Sequence, residues 1–216
     1  MISIYILPTD ELQTLDFFEL TDSLPFGENE KNRLLAISNS KHRWESLGGL
    51  IALHRLMRTV SPTDIRKILR ATAGKPYFEG DSALPFSISH SHGICAAAVA
   101  THGHCEIGLD IEVIDESYVR APVAERFFTA DEKLRFELSE HTPESFFAIW
   151  TAKEARSKID GKGLGAFLAA KEASGDPPVY VSQLTLEISG KRIAAAVCSH
   201  IAGETIRIYS DSEVIK

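Results

Sequence analysis

The stretch Phe146-Phe-Ala-Ile-Trp-Thr-Ala-Lys-Glu-Ala-Arg-Ser-Lys-Ile-Asp-Gly-Lys-Gly-Leu-Gly165 is the part of the sequence around which the rest of the chain is organised. It follows Thr142-Pro143, a capping residue with a proline suited to the first turn, which predicts the start of a helix. Gly161 predicts its end, because glycine readily adopts the left-handed conformation of a helix terminus. We therefore expect one long helix over about 143–160.

Trp150, Glu154 and Lys158 are spaced four residues apart, so they share one face of this helix. On its own the Glu154–Lys158 spacing is typical of a surface ion pair worth about 0.3 kcal/mol. A second stretch favours another interpretation, because Asp110 and Glu112 are two residues apart in a predicted strand and point to the same side. Neighbouring carboxylates repel unless a cation lies between them. The three carboxylates and Lys158 therefore predict a magnesium and phosphate site.

The composition of the 216-residue chain is typical of a globular protein, with 44% hydrophobic and 25% charged residues. A net charge of −7 argues against a dedicated nucleic-acid binder, whose footprint is basic. No apolar run is long enough to span a membrane, and the N-terminus lacks the basic flank of a signal peptide. Three cysteines without tight spacing indicate a reducing compartment. We expect a cytoplasmic protein without nucleic-acid or membrane partners.

Local signals predict further elements. Helices are expected over 28–36 and 41–59, and Ser61-Pro-Thr-Asp64 predicts another helix that ends near Gly74. Alternating residues separated by Ser-Gly and Ala-Gly turns predict three antiparallel strands over 179–188, 192–199 and 204–209.

The two parts of the chain, residues 1–112 and 113–216, resemble each other. Ile94-Cys-Ala-Ala-Ala-Val99 is echoed by Ile193-Ala-Ala-Ala-Val197, and each part runs short helix, long helix, small-residue strand, final strand. We predict an α+β fold with two pseudo-duplicated halves. Each half is a small antiparallel sheet packed with helices, and the active cleft lies between them. Because both halves lie in one chain, we expect a monomer.

Five motifs from about residue 40 to residue 165 resemble those of the 4'-phosphopantetheinyl transferase superfamily, in its two-half type that activates carrier proteins. They occur in the family's order and near its spacing. The motifs are Gly74-Lys-Pro76 with Tyr77, Ser87-Ile-Ser-His-Ser91, Gly108-Leu-Asp-Ile-Glu112, Phe127-Phe128 ahead of Glu132, and Trp150-Thr-Ala-Lys-Glu154 continuing to Lys158 and Gly161-Lys-Gly-Leu164.

The resemblance implies an enzyme that moves the phosphopantetheine arm of coenzyme A to a serine of an apo acyl or peptidyl carrier protein and releases 3',5'-ADP. It implies that Asp110, Glu112 and Glu154 hold Mg²⁺ against the pyrophosphate. It also implies that Glu154 deprotonates the serine, either directly or through a metal-bound water. Lys158 neutralises the phosphates in the transition state.

The resemblance also implies a set of phosphate-binding residues. Lys75 and His90 contact phosphates of coenzyme A, and Ser89 adds a hydroxyl donor. Arg43 stands where the family places a basic residue for the 3'-phosphate, with His42 and Arg55 as neighbouring alternatives. The chain departs from the family at His92, where the family usually has glycine.

Two other functions fit parts of the sequence. One is a zinc-binding module built from a histidine and cysteine cluster, which leaves the acidic residues unexplained: His90, His92, His102, His104, Cys95 and Cys105. The other is a magnesium-dependent phosphohydrolase with the same acids, which has no need of the Gly-Lys-Pro and Ser-His-Ser stretches.

Overall fold

The structure, a computed structural model, describes residues 1–10, 12–101, 105–118, 120–159, 161, 165, 177–211 and 214–215. The helices are α1 (Phe17–Ser23), α2 (Glu28–Ala36), α3 (Ser40–Val60), α4 (Ala121–Phe127), α5 (Ala130–Leu138) and α6 (Pro143–Ile159), and a short 3-10 helix covers Leu12–Thr14. The strands are β1 (Ile2–Pro8), β2 (Ile68–Arg70), β3 (Pro76–Phe78), β4 (Phe86–Ser91), β5 (Ile94–Ala100), β6 (Ile107–Val113), β7 (Tyr180–Ile188), β8 (Lys191–Ser199), β9 (Ile206–Tyr209) and β10 (Val214–Ile215). The predicted α+β class is confirmed.

The strands form a five-stranded sheet in the order β10-β9-β1-β5-β4, a three-stranded sheet in the order β6-β8-β7, and the hairpin β2-β3. All pairings are antiparallel except that of β1 with β9, where Ile2 lies opposite Ile206. The prediction that β9 continues an antiparallel set with β7 and β8 is therefore wrong. Strand β8 has two edges, and β6 and β7 occupy both, so β9 pairs with β1 instead.

Each of the two larger sheets carries one long helix. Helix α3 packs against β1, β4 and β5, and helix α6 packs against β6 and β8. Strand β6 pairs with β8, with Asp110 opposite Ala196, so this strand joins a sheet whose other members come after residue 113. The division into 1–112 and 113–216, and the pseudo-duplication, stay predictions.

The prediction of a helix from Ser61 to near Gly74 is wrong. Residues 62–63 form a turn, and Ile68–Arg70 is the strand β2. Tertiary contacts outweigh the local helix-start signal here. The buried Ile68 donates its backbone N–H to the Phe26 carbonyl at 3.0 Å, and the Arg70 guanidinium pairs with Glu30 at 2.5 Å. The predicted helices over 28–36, 41–59 and 143–160 are confirmed as α2, α3 and α6.

Small residues let the helices lie close to the sheets. Ala96, Ala97 and Ala98 of β5 are completely buried. The alanines at 194–196 of β8 are also buried, with at most 3% of their surface exposed. Where a helix crosses alanine rather than a larger residue, its own side chains approach the strand backbone. No helix in the described part of the chain is long and apolar enough to cross a bilayer.

Candidate active site

Three serines of β4 join the two larger sheets along the edge where β4 faces β6. Each hydroxyl oxygen accepts a hydrogen bond from a backbone N–H of β6. The bonds are Leu109 N to Ser87 Oγ (2.9 Å), Ile111 N to Ser89 Oγ (3.3 Å) and Val113 N to Ser91 Oγ (3.1 Å). We call these three contacts the serine ladder. It takes the place of backbone pairing between two sheet edges, so it fixes the register of β6 against β4.

The serine ladder also orients the two strand carboxylates. Ser89 Oγ donates to Asp110 Oδ1 at 2.7 Å, and Ser91 Oγ donates to Glu112 Oε2 at 2.6 Å. Sequence reasoning gave Ser89 a role at a phosphate and none to Ser91. The signal that could have found it is the serine at every second position of a strand, because such side chains point to one side.

Helix α6 brings the other predicted residues to this edge. A Cβ added to Gly108 would lie 1.9 Å from the Ala155 carbonyl oxygen, so α6 lies against the bare backbone of β6 at this point. The helix therefore presents its Glu154 and Lys158 side chains to the carboxylates of β6. Lys158 Nζ donates to Asp110 Oδ1 at 2.8 Å, to Ser89 Oγ at 2.9 Å and to the Leu109 carbonyl at 2.9 Å.

The carboxylates share an environment that disfavours their charged forms. Burial raises the pKa of Glu112 to about 7, and the nearby Asp110 and Glu154 add to this shift while Ser91 and Lys158 oppose it. Burial followed by the charge of Asp110 also raises the pKa of Glu154. Three acids therefore face one lysine, which leaves surplus negative charge at a largely buried place.

The donor chemistry of these residues fits a magnesium ion. The Oδ2 atom of Asp110 is buried and accepts no hydrogen bond from any described residue. A buried carboxylate oxygen without a partner is costly, and a cation would satisfy it. Mg²⁺ prefers carboxylate and water oxygens, which is the donor set of Asp110, Glu112 and Glu154.

Lys75 lies next to this group at the end of α6. Its Nζ donates to the Ile159 carbonyl at 2.6 Å and forms an ion pair with Glu106. Together with Lys158 it lines a cavity of about 200 Å³ between α6 and β4, whose remaining lining residues are Ala73, Pro76, Phe86, Ser87, Ile88, Ser157 and Gly161. The end of the family motif at 162–164 lies outside the described residues.

His90 and Arg43 contact other parts of the structure. His90 Nδ1 lies 3.5 Å from Glu45 Oε2, and burial lowers the pKa of His90 even though the carboxylate opposes this shift. The Arg43 guanidinium donates through Nε to the Ile37 carbonyl at 2.7 Å and lies over the Phe17 ring. The described contacts of Arg43 therefore join α3 to α1 and the end of α2, and its role at a phosphate stays a prediction.

The histidine and cysteine cluster of the zinc alternative does not form as proposed within the described residues. Cys95, Cys105 and Cys198 are buried free thiols, and Cys95 Sγ donates to the Glu45 carbonyl. His102 and His104 lie outside the described residues. The described histidine that contacts His90 is His42, at 5.3 Å between ring centroids.

The sequence of the chain is similar to those of known proteins. A sequence model of the 4'-phosphopantetheinyl transferase superfamily matches residues 106–201, a range that contains all three carboxylates and Lys158. The chain is 30% identical over 146 residues to the 4'-phosphopantetheinyl transferase AcpT of Salmonella typhi, covering 67% of this chain and 71% of that protein. The chain belongs to the 4'-phosphopantetheinyl transferase superfamily.

Other members of the superfamily match a shorter region. The chain is 32% identical over 130 residues to the 4'-phosphopantetheinyl transferase gsp of Aneurinibacillus migulanus, covering 58% of this chain and 52% of that protein. It is 30% identical over 129 residues to psf-1 of Bacillus pumilus, covering 58% and 53%. The chain thus spans about half the length of these two relatives.

Proposed function

We propose that this chain transfers the 4'-phosphopantetheine arm of coenzyme A to a serine of an apo acyl or peptidyl carrier protein, with Mg²⁺, and releases 3',5'-ADP. The observation that carries the proposal is the meeting of Asp110, Glu112, Glu154 and Lys158 where β6 lies between β4 and α6. Carboxylates for a cation beside an amine for phosphate form the arrangement that phosphoryl transfer needs.

Asp110, Glu112 and Glu154 would hold the magnesium ion. When bound, Mg²⁺ supplies positive charge that stabilises the pyrophosphate as its bond breaks. The serine ladder holds Asp110 and Glu112 in place from one side, and Lys158 holds Asp110 from the other. These contacts orient the carboxylates before substrate arrives, which lowers the cost of reorganisation.

In the transfer step the carrier serine oxygen forms a bond to the phosphorus that bears the pantetheine arm. The bond from that phosphorus to the bridging oxygen breaks, and its electron pair leaves with 3',5'-ADP. Glu154 accepts the serine proton. While no ion is bound, burial and then the charge of Asp110 raise the pKa of Glu154, so its carboxylate binds a proton more readily than an exposed glutamate does.

Basic side chains would bind the phosphates of coenzyme A. Lys158 neutralises charge in the transition state, and Lys75 and His90 bind phosphate groups, with Ser89 as a hydroxyl donor. Lys75 would exchange its contact with Glu106 for a phosphate, because both are anions within reach of one flexible side chain. Arg43 is the proposed partner of the 3'-phosphate.

The proposal also covers the partner, the oligomeric state and the location of the protein. The partner is a carrier protein, not nucleic acid, which agrees with the net charge of −7. All proposed residues come from one chain, so we propose that a monomer acts, in the cytoplasm and without a membrane.

Mass spectrometry of an apo carrier protein tests the proposal. Incubation with this protein, coenzyme A and Mg²⁺ should add the mass of the phosphopantetheine arm to the carrier. A carrier whose acceptor serine is replaced by alanine, and a reaction with a chelator, should show no gain. If folded protein with Mg²⁺ modifies none of several fatty-acid, polyketide and peptide-synthetase carriers, the proposed function is wrong.

A further inference from the structure

A second group of metal-ligand side chains lies between α3 and β4 and shares no residue with the three acids. It consists of His42 and Glu45 on α3 and His90 on β4, and one ligand atom from each lies within 4.8 Å of the others. His42 and Glu45 are three residues apart in the helix, so they share one face. We call this group the histidine cluster.

Glu45 is the buried member, with only 7% of its surface exposed. Its Oε1 atom accepts a hydrogen bond from the Gly93 backbone N–H at 3.0 Å, and its Oε2 atom faces His90. Within the described residues no lysine or arginine forms an ion pair with it. A buried carboxylate without a basic partner favours a cation nearby.

The backbone holds the histidine cluster together. Helix α3 lies close to the sheet, because a Cβ on Gly48 would meet Cys95 Sγ at 2.8 Å and one on Gly49 would meet Ile88 Cγ2 at 2.5 Å. This approach sets Glu45 against the β4–β5 turn. The hydrogen bond from Gly93 then fixes which carboxylate oxygen points to His90, as outer contacts of metal ligands commonly do.

We propose that His42, Glu45 and His90 bind one divalent ion of the zinc class. Two imidazole nitrogens and a carboxylate oxygen suit Zn²⁺ or Co²⁺ and not Mg²⁺, which prefers oxygen alone. Around a tetrahedral ion such ligands lie about 3.3 Å apart. His42 is exposed, so its ring can turn to close the remaining distance without moving core residues.

Three protein ligands leave a fourth position for water or an anion. An ion in the histidine cluster would also engage His90, which the proposed function assigns to a phosphate of coenzyme A. This one consequence rests on the proposed function. If His90 binds both the ion and the phosphate, micromolar Zn²⁺ should inhibit transfer in the presence of Mg²⁺. The binding of the ion itself does not depend on any activity of the protein.

Cobalt titration tests the site directly. Tag-free protein in saturating Mg²⁺, which occupies the three acids, should bind one Co²⁺ with the visible absorption of a tetrahedral ion. His42→Ala and His90→Ala should each weaken binding at least tenfold. His92→Gly is the matched control, because His92 lies in the same Ser-His-Ser-His stretch and its φ of 48° suits glycine. This variant should bind as the parent does.

The outcomes separate clearly. If the parent shows no tetrahedral Co²⁺ signal, or if His42→Ala binds Co²⁺ unchanged while circular dichroism shows a folded protein, the proposal is wrong. Transfer assays then test the consequence: Zn²⁺ should inhibit the parent and should inhibit His42→Ala at least tenfold less. A protein that binds Co²⁺ as expected but modifies no carrier would contradict the proposed function and leave this site standing.

Discussion

The two long helices contribute their polar side chains to neighbouring strand edges in different ways. Helix α6 presents Glu154 and Lys158 to Asp110 and Glu112 of β6, whereas α3 presents His42 and Glu45 to His90 of β4. The first group is built from oxygen ligands and an amine, the second from nitrogen ligands and one oxygen. The comparison teaches that similar helix-on-sheet packing can support two kinds of ion chemistry, because the ligand atoms and not the packing select the ion.

Replacing Asp110 should have the largest effect. Asp110→Asn keeps the side-chain shape but removes the charge that Lys158 and the proposed Mg²⁺ share, so we expect transfer to fall about a thousandfold. Initial rates of carrier modification at saturating coenzyme A and Mg²⁺ measure this.

The matched control is Asp81→Asn, which makes the same change at an exposed acid ahead of β4 and should keep full activity. Near-normal transfer by folded Asp110→Asn would remove the three acids from the proposed mechanism.

The substitution Gly108→Ala should have the next largest effect on transfer. In Gly108→Ala the new methyl group meets the Ala155 carbonyl at 1.9 Å, so α6 has to move away from β6. We expect a loss of about 1–3 kcal/mol in the free energy of unfolding and about tenfold in turnover, because Glu154 and Lys158 move with the helix. Urea denaturation and the transfer assay measure the two losses.

Gly49→Ala makes the same change under α3, where the obstacle is the Ile88 side chain and not backbone. It should cost less stability and leave turnover higher than in Gly108→Ala. Gly165→Ala is the control, since no atom of the described residues lies within 4 Å of its new methyl group. Equal losses for Gly108→Ala and Gly165→Ala would show that the close approach of α6 is not what positions the site.

Local signals account for the parts of the fold that the sequence predicted well. The cap at Thr142, the spacing from Glu154 to Lys158 and the alternation from Asp110 to Glu112 each act within one element, so sequence alone reveals them. Spacing also showed that the acids would share a side, and burial in the structure adds the shifted pKa values.

What sequence missed depends on contacts between distant residues. The pairing of β9 with β1 follows from the occupied edges of β8, and β2 forms because Arg70 reaches Glu30. The grouping of His42 with His90 joins residues 48 positions apart, and no local pattern marks it. Tertiary context decides such contacts, whereas the sequence groups His90 with His92, His102 and His104, which are nearer to it in the chain.

The pH dependence of stability should show the smallest effect. The pKa of Glu112 is raised from 4.5 to about 7 in the folded protein, chiefly by burial. Between these values the folded state holds a proton on Glu112 that the unfolded state releases, so the contribution of Glu112 to stability is greatest below about pH 4.5 and is lost as the pH rises through about 7. In a chelator, the melting temperature of Glu112→Gln relative to that of the parent should therefore rise from about pH 5 to about pH 8.

Mg²⁺ should oppose this loss of stability at the upper end of the pH range. The ion binds the deprotonated carboxylate, so its affinity should rise as pH increases through the pKa of Glu112, and Mg²⁺ should raise the melting temperature most near pH 8. Glu137→Gln, at an exposed acid of α5, should keep the parent's slope. If Glu112→Gln leaves the slope of melting temperature against pH in chelator unchanged, Glu112 does not titrate near neutral pH. The excess of negative charge that distinguishes the group beside α6 from the group beside α3 would then be contradicted.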